Sequence, residues 1–410
     1  MGWLTAAEAL KVLGVRPQTL YANVSRGRIR AKPDPKEARR GLYHEGDVRK
    51  IARSRAGARK AERVAAAAIE WGDPILPSGI STVAQGRLWY RGLDAVELAE
   101  EQTLEDVAIL LWQCGTVSFA GEPRPAGTSR SMRPLDDSSN STPVLSKMFT
   151  AVADRAGRDP PSHGCAPAVL RGEGARVMAA LVGSVVGPGE ERPLHERLAA
   201  AWRCRRAGDV LRRALVLLAD HELNASTFAV RVAVSTGASL ASGVLAGLAT
   251  LSGPLHGRAA AGAVELVRAG RQHGMQAAVR ERLTCGRELS GFGHPLYPEG
   301  DVRAHALLRA IDIPAEYREL RAAAEELAGE RPNIDFALAA MTSCCRLPPD
   351  APLVLFALAR TVGWLAHALE QISGGHLIRP RARYVGPAVG AGNESNEATA
   401  AIGRPDRVIP

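Results

Sequence analysis

The chain has 410 residues, of which 46% are hydrophobic and only 4% are aromatic. This composition excludes a disordered chain and allows two or three domains. A core rich in Ala and Leu and poor in rings favours packed helices over sheets. The six cysteines form no CxxC pair, and the N-terminus shows no secretory signal. We therefore expect a cytoplasmic protein with reduced thiols and no metal site.

The positive charge is concentrated at the N-terminus. Residues 1–60 contain 15 Lys and Arg against 5 Asp and Glu, a net charge of +10, whereas the whole chain carries +9. A basic block of this kind favours a polyanionic partner. An Arg-rich solvated surface is the alternative.

The first predicted elements form a helix-turn-helix pattern. Residues 4–13 predict a short helix, with Thr5 and Glu8 at capping-box spacing. A second helix is predicted from Arg16 to Gly27, followed by a basic hairpin and a third helix in EGDVRKIARS. The segment resembles the MerR/excisionase-like winged helix-turn-helix family over about 55 residues.

That resemblance implies contacts with double-stranded DNA, because the second helix of such folds enters the major groove. The residues implied near bases and phosphates are Gln18, Thr19, Tyr21, Arg26, Arg28 and Arg30. A small helical cap on an enzyme that binds no nucleic acid is the alternative.

The remaining chain predicts helix after helix. Residues 56–73 are predicted to be a helical linker, and the Pro- and Ser-rich residues 121–143 a flexible insertion. The uncharged stretch Val232–Leu255 is long enough to span a bilayer. Because it consists largely of small residues, we expect a buried helix in a soluble core and no membrane contact.

Histidine, aspartate and arginine recur in the loops of this helical part. His256 lies in SGPLHG, His294 in GFGH and Asp335 in PNIDF. A helix N-terminus after His256 would keep that imidazole neutral and able to stabilise an enolate. Apolar neighbours would raise the pKa of Asp335 toward that of a useful base. Arg303 and Arg360 could each bind a carboxylate through two hydrogen bonds.

Each of these residues also has a structural alternative. The histidines could be satisfied structural residues, Asp335 could cap a helix, and Arg360 could lie at the surface. Their combination favours proton abstraction next to a carbonyl in a dianionic substrate.

From about Asp73 to Pro387, the chain resembles the citrate synthase family. The resemblance is carried by ISTVAQGRLWYRGLDAVELAEEQTLEDVAILLW, SGPLHG, GFGH with Arg303, PNIDF, and ARTVGWLAHALEQ with LIRPRARYVGP. It implies a mostly α fold with a large domain (61–257 and 367–410) and a small domain (258–366), after a winged helix-turn-helix domain (1–60).

The resemblance also implies the site. Asp335 would remove a proton from an acyl-CoA, His256 would stabilise the enol, and His294 would polarise the ketone of an oxo acid such as oxaloacetate. The implied oxo-acid ligands are His221, Arg303, Arg360 and, from the partner subunit of a homodimer, Arg379. Acyl-CoA would be a co-substrate, and no permanent cofactor is implied.

The chain departs from the family after PLHG and after GFGH. An expected Asn is missing beside Arg258, and no base precedes Arg303 in the loop that helps to bind CoA phosphates. Arg258 or Arg331 could compensate. Three functions therefore stay open: a citrate or 2-methylcitrate synthase, a DNA-binding regulator that senses such ligands, and a citryl-CoA-type lyase.

Overall fold

Contacts divide the chain into two units, residues 1–77 and 78–410. The computed structural model describes residues 2–13, 20, 23–24, 28–34, 37–52, 76–120, 142–187, 191–257, 259–382 and 384–386. The linker and the insertion therefore fall largely outside the described residues. The division of the second unit into a large and a small domain stays a prediction.

The first unit combines a small sheet with helices. Strands β1 (Trp3–Thr5), β2 (Ala31–Asp34) and β3 (Glu37–His44) pair antiparallel in the order β1-β3-β2. Helix α1 (Ala6–Leu13) follows β1, and residues 45–52 are helical. A core of its own is formed by Ala9, Leu13, Leu20, Ile29, Tyr43 and Val48.

The sequence predictions for this unit are confirmed in part. Glu8 accepts from Thr5 N at 2.8 Å, and Glu8 N donates to Thr5 Oγ1 at 3.3 Å, which is the predicted capping box. The hairpin and the third helix are confirmed. Most of the predicted second helix lies outside the described residues.

The second unit is largely helical, as predicted. It opens with a small antiparallel sheet of three strands in chain order, β4 (Ser81–Ala84), β5 (Arg87–Tyr90) and β6 (Leu93–Asp94). Its helices are α2 (Ala95–Glu101), α3 (Leu104–Trp112), α4 (Val144–Ala156), α5 (Pro167–Val186), α6 (Leu194–Ala201), α7 (Gly208–Leu218), α8 (Ala225–Ser235), α9 (Leu240–Leu251), α10 (Ala259–His273), α11 (Met275–Thr284), α12 (Val302–Arg309), α13 (Ala315–Ala328), α14 (Ile334–Cys345) and α15 (Ala351–Gly374).

Helix α15 forms the centre of this unit. It begins with a proline in its first turn and ends at Gly375, whose φ is +65°. Helices α3, α5, α7, α8 and α9 pack around it. Within the described residues, it is the one helix whose length and hydropathy would allow it to cross a membrane, and 89% of its most apolar window is buried in the protein.

The expectation of one buried helix over Val232–Leu255 is wrong in detail. The stretch contains the end of α8, a turn, and α9. Gly237 has a φ of +86°, which ends the first helix, and the Ser239 side chain caps the next one. The small residues serve close packing, since a β-carbon at Gly247 would lie 2.7 Å from Val230 and 2.9 Å from Trp364.

Candidate active site

The loop between α7 and α8 carries His221 and is fixed from both sides. Asp220 is fully buried, and its backbone N–H donates to Tyr90 Oη at 3.2 Å. Its carboxylate accepts hydrogen bonds from His367 Nε2 at 3.1 Å and from Ser81 Oγ. Burial alone would raise the pKa of Asp220, but His367, Arg360 and Ser81 outweigh it and lower that pKa. The carboxylate therefore anchors the loop as an anion.

The residue after His221 is held in a left-handed conformation. Glu222 has a φ of +53°, unusual for a residue with a side chain. Its N–H donates to Ser81 Oγ at 2.9 Å, and its carboxylate accepts from Thr82 Oγ1 at 3.0 Å and from Val83 N. Strand β4 thus holds the backbone turn that presents His221.

The GFGH loop is fastened to the start of α14. Gly293 N donates to Arg331 O at 2.9 Å, and Asn333 Nδ2 donates to Gly293 O at 3.0 Å. The Asn333 side chain also accepts from Asp335 N at 3.0 Å and so caps α14. The alternative that Asp335 serves as the cap of α14 is therefore wrong.

Two histidines of the predicted site meet across these loops. The rings of His221 and His294 lie 5.1 Å apart edge to face, and Tyr297 lies against both. Burial, with a contribution from Arg303, lowers the pKa of His294 to about 4. Its Nδ1 accepts from Leu296 N at 3.1 Å, so the proton of the neutral ring lies on Nε2.

His256 lies in the predicted loop between α9 and α10. Its Nε2 pairs with Ser226 Oγ at 2.8 Å, and the same hydroxyl accepts from Trp364 Nε1 at 3.2 Å. Its pKa is lowered to about 4, first by burial and then by Arg360. The predicted neutral state has this cause rather than the helix N-terminus proposed from the sequence.

Asp335 is the carboxylate of the site. Its Oδ1 has no exposed surface and no hydrogen-bond partner among the described residues. Burial raises its pKa to about 6, although Arg303 and the N–H of Ala260 oppose that rise. This direction agrees with the elevation predicted from the sequence, and a carboxylate with such a pKa can exchange a proton near neutral pH.

Arg303 is already paired, which sequence reasoning did not foresee. Its Nε and Nη2 donate to the two Asp301 oxygens at 3.0 Å and 2.8 Å, and both side chains are buried. Asp301 also accepts from Ile334 N at 3.0 Å. The two-bond fork of Arg303 is therefore occupied, and Nη1 is the guanidinium nitrogen outside that pair.

Arg360 is buried without a neighbouring ion pair of its own. Its Nε donates to Leu218 O at 3.0 Å, and its Nη2 is buried with no partner among the described residues. Burial, reinforced by the positive charge of Arg303, lowers its pKa to about 10. The negative charge of Asp220 offsets part of this effect, but no carboxylate pairs directly with the guanidinium among the described residues. A buried charge without a direct partner is costly, so Arg360 is suited to bind an anion.

The structure brings six of the predicted residues together. The charge of Arg303, of Arg360 or of both lowers the pKa of each of the other four members. The six are His221, His256, His294, Arg303, Asp335 and Arg360. Arg379 is exposed on the segment after α15. Arg331 is exposed and donates to Glu299 O.

The remaining predicted residues lie in the first unit or outside the described residues. Arg28 and Arg30, in the first unit, are exposed, and Arg30 Nε donates to Asp47 Oδ2 at 2.8 Å. The remaining four DNA-contact residues and the proposed CoA ligand lie outside the described residues; they are Gln18, Thr19, Tyr21, Arg26 and Arg258. Across the part of the chain that the structure describes, no group of three or more His, Cys, Asp or Glu is placed to hold a metal.

Three further residues of the site were missed from the sequence. Tyr297 lies between the histidines, Asp301 pairs with Arg303, and Asn333 links two loops. The spacing of three residues between His294 and Tyr297 was a signal in the sequence, because residues three apart in a turn lie close together. The structure shows this turn, in which Tyr297 N donates to His294 O at 2.9 Å.

Comparisons with known proteins agree with this geometry. The family described as "Citrate synthase, C-terminal domain" matches residues 70–381. "Citrate synthase 2" of Bacillus subtilis is 37% identical over 190 residues, which cover 44% of this chain and 51% of that protein. A "2-methylcitrate synthase" of Shewanella oneidensis is 28% identical, covering 74% of this chain and 90% of that protein.

A solved structure is also similar. It is the citrate synthase of Thermoplasma acidophilum in a ternary complex with carboxymethyl coenzyme A and oxaloacetate, with a TM-score of 0.65 and 25% identity, covering 79% of this chain and 96% of that one. The chain spans about half the length of the Bacillus relative that it matches. Since the family model covers most of the chain and the site motifs meet in space, the chain belongs to the citrate synthase family.

Proposed function

We propose that the protein condenses an acyl-CoA, acetyl-CoA or propionyl-CoA, with oxaloacetate to give citrate or 2-methylcitrate and CoA. The observation that carries the proposal is one cluster of mutually interacting groups, formed by a carboxylate of raised pKa, two neutral histidines and two buried arginines. The ternary complex of the Thermoplasma relative contains a CoA analogue and oxaloacetate, which supports this substrate pair.

Each group has a step that its chemistry suits. Asp335 takes a proton from the carbon next to the thioester carbonyl, and neutral His256 donates to the thioester oxygen as the enol forms. The enol carbon attacks the ketone carbon of the oxo acid. His294 Nε2–H donates to the ketone oxygen and gives its proton to the new alkoxide. Water then hydrolyses the thioester and releases CoA.

The arginines would hold the dianionic oxo acid. Arg360 offers an unpaired buried nitrogen, and Arg303 offers Nη1 beside its pair with Asp301. Arg379, which is exposed on its own subunit, would complete the pocket of the partner subunit in a homodimer. Arg258 and Arg331 would bind the CoA phosphates.

The test is release of CoA by the full-length protein from oxaloacetate with either acyl-CoA. Turnover that Asp335→Ala abolishes supports the proposal, and the ratio of the two rates gives the acyl preference. Cleavage of citryl-CoA without net synthesis would instead support a lyase. Absence of turnover in every assay would contradict the proposed enzyme.

A second candidate function is DNA binding by the first unit. Its own core, its antiparallel hairpin and the net charge of +10 on residues 1–60 favour that function. In fluorescence anisotropy with double-stranded DNA, affinity should fall steeply as salt rises, and Arg28→Ala should reduce that salt dependence. Affinity that does not change with salt would contradict a contact made through these charges. Absence of binding at low salt would favour the alternative of a small cap that binds no nucleic acid.

A further inference from the structure

Tyr297 contacts three of the groups that would bind the oxo acid, namely His221, His294 and Arg303. Its side chain is only 2% exposed, its hydroxyl is 3.0 Å from His221 Nε2, and its ring is 5.1 Å from that of His294. The Arg303 guanidinium lies over the ring at 5.2 Å from its centre. None of the steps proposed above uses this residue.

The hydrogen bond has a direction that follows from the surroundings. Burial raises the pKa of the Tyr297 hydroxyl, and burial with nearby cations lowers that of His221 well below its ordinary value, so both groups are neutral. Among the described residues, the Tyr297 hydroxyl has one hydrogen-bond partner, His221 Nε2. A proton on Nε2 would leave the buried tyrosine proton without an acceptor, which is unfavourable.

We propose that Tyr297 is a positioning residue that donates to His221 Nε2 and thereby keeps the ring proton of His221 on Nδ1. His221 then presents one defined N–H donor to the oxo acid, a role that rests on the proposed function. Without the hydroxyl, both neutral tautomers become available to His221 and the ring loses its tether.

A packing role alone would have a different signature. Tyr297→Phe keeps the ring, its contact with Arg303 and its burial, and removes only the oxygen. Tyr317→Phe is a matched control, because Tyr317 is a buried tyrosine packed on Phe336, away from the histidine pair.

The first measurement is the ¹⁵N spectrum of the full-length protein labelled at histidine, with His221→Gln used for assignment. In the native protein, we expect His221 Nδ1 to be protonated and Nε2 to be unprotonated. Tyr297→Phe should shift these two resonances toward each other, and Tyr317→Phe should leave them unchanged. A protonated Nε2 in the native protein, or an unchanged tautomer in Tyr297→Phe, would overturn the proposal.

The second measurement is oxaloacetate binding by calorimetry. Loss of one hydrogen bond predicts binding weaker by roughly 3- to 10-fold in Tyr297→Phe. In a His221→Gln background the same substitution should have almost no effect, and a full effect there would contradict action through His221. Since neither measurement needs turnover, failure of the synthase assay does not decide this proposal.

Discussion

The raised pKa of Asp335 should make this carboxylate, the proposed catalytic base, a source of instability. Folding transfers this carboxyl group from an ordinary pKa of 3.8 to about 6. Because the folded pKa lies above the unfolded value, folding favours the protonated form. The cost is therefore absent at low pH, grows as pH rises through this interval, and is complete above about pH 6.

The size of this effect follows from the two pKa values. At 1.36 kcal/mol per pKa unit, the difference between 3.8 and about 6 amounts to about 3 kcal/mol at neutral pH. Part of the cost is already present at pH 4.5. Linkage then predicts that the ionisation of Asp335 lowers the free energy of unfolding by about 2 kcal/mol more at pH 7.5 than at pH 4.5.

Asp335→Asn tests this directly, because an amide does not titrate. Urea unfolding followed by far-UV circular dichroism gives the free energy of unfolding of both proteins at the two pH values. Relative to the native protein, the variant should gain about 2 kcal/mol between them. Any constant cost of the buried amide cancels in this difference.

The control is Asp312→Asn, since the Asp312 side chain is 99% exposed. Its stability relative to the native protein should change little with pH. If Asp335→Asn shows the same flat difference, the carboxylate of the folded protein is not desolvated. The assignment of Asp335 as a base near neutral pH would then lose its physical basis.

Four other outcomes follow. The value of kcat/KM should fall tenfold per pH unit below the pKa of Asp335, about 6, because the protonated carboxyl is not a base; a flat profile down to pH 4.5 would contradict this. Arg379→Ala and Asp335→Ala should each be inactive. If Arg379 reaches the active site of the partner subunit, dimers reassembled from a mixture of the two variants should regain about a quarter of native activity. No recovery despite the presence of mixed dimers would mean that Arg379 acts in the site of its own subunit. In Gly291→Ala, at a φ of +88°, the new β-carbon would lie 3.0 Å and 3.2 Å from two neighbouring β-carbons. This variant should lose about 1–3 kcal/mol more of the free energy of unfolding than the control Gly286→Ala, which has a φ of +65° and open space around it. Equal unfolding midpoints for the two variants would refute the close packing. Asn333→Asp should keep the cap of α14 but lose the donor to Gly293 O. The thermal midpoint should therefore change little, while kcat should fall on the order of tenfold. An unchanged kcat would show that the GFGH loop does not need this hydrogen bond.

The sequence predicted the site residues better than their interactions. His256, His294 and Asp335 were identified because each lies in a short loop motif, and loops adjoin in the fold when the helices between them pack. The pairing of Arg303 with Asp301, two residues away, was open to sequence reasoning. However, the same spacing would equally allow both side chains to face the substrate.

Other features depend on contacts between distant segments. The neutrality of His256 follows from its burial and from Arg360, which is more than a hundred residues away. Strand β1 exists because β3 pairs with it, and three residues alone carry no periodic signal. Local rules worked where the cause was local, as in the capping box of Thr5 and Glu8.

The charges of the pocket suggest how substrate binding prepares the catalyst. Arg303 lowers the pKa of Asp335 and of His294, and Arg360 lowers that of His256. A bound dianion would offset both positive charges, so each of these three pKa values should rise when the oxo acid is present. Asp335 then becomes a stronger base at the moment when an electrophile is available. Under the proposed function, Arg360 would therefore help to recruit the oxo acid, and Arg303 would keep the Asp335 carboxylate less basic until that substrate has bound.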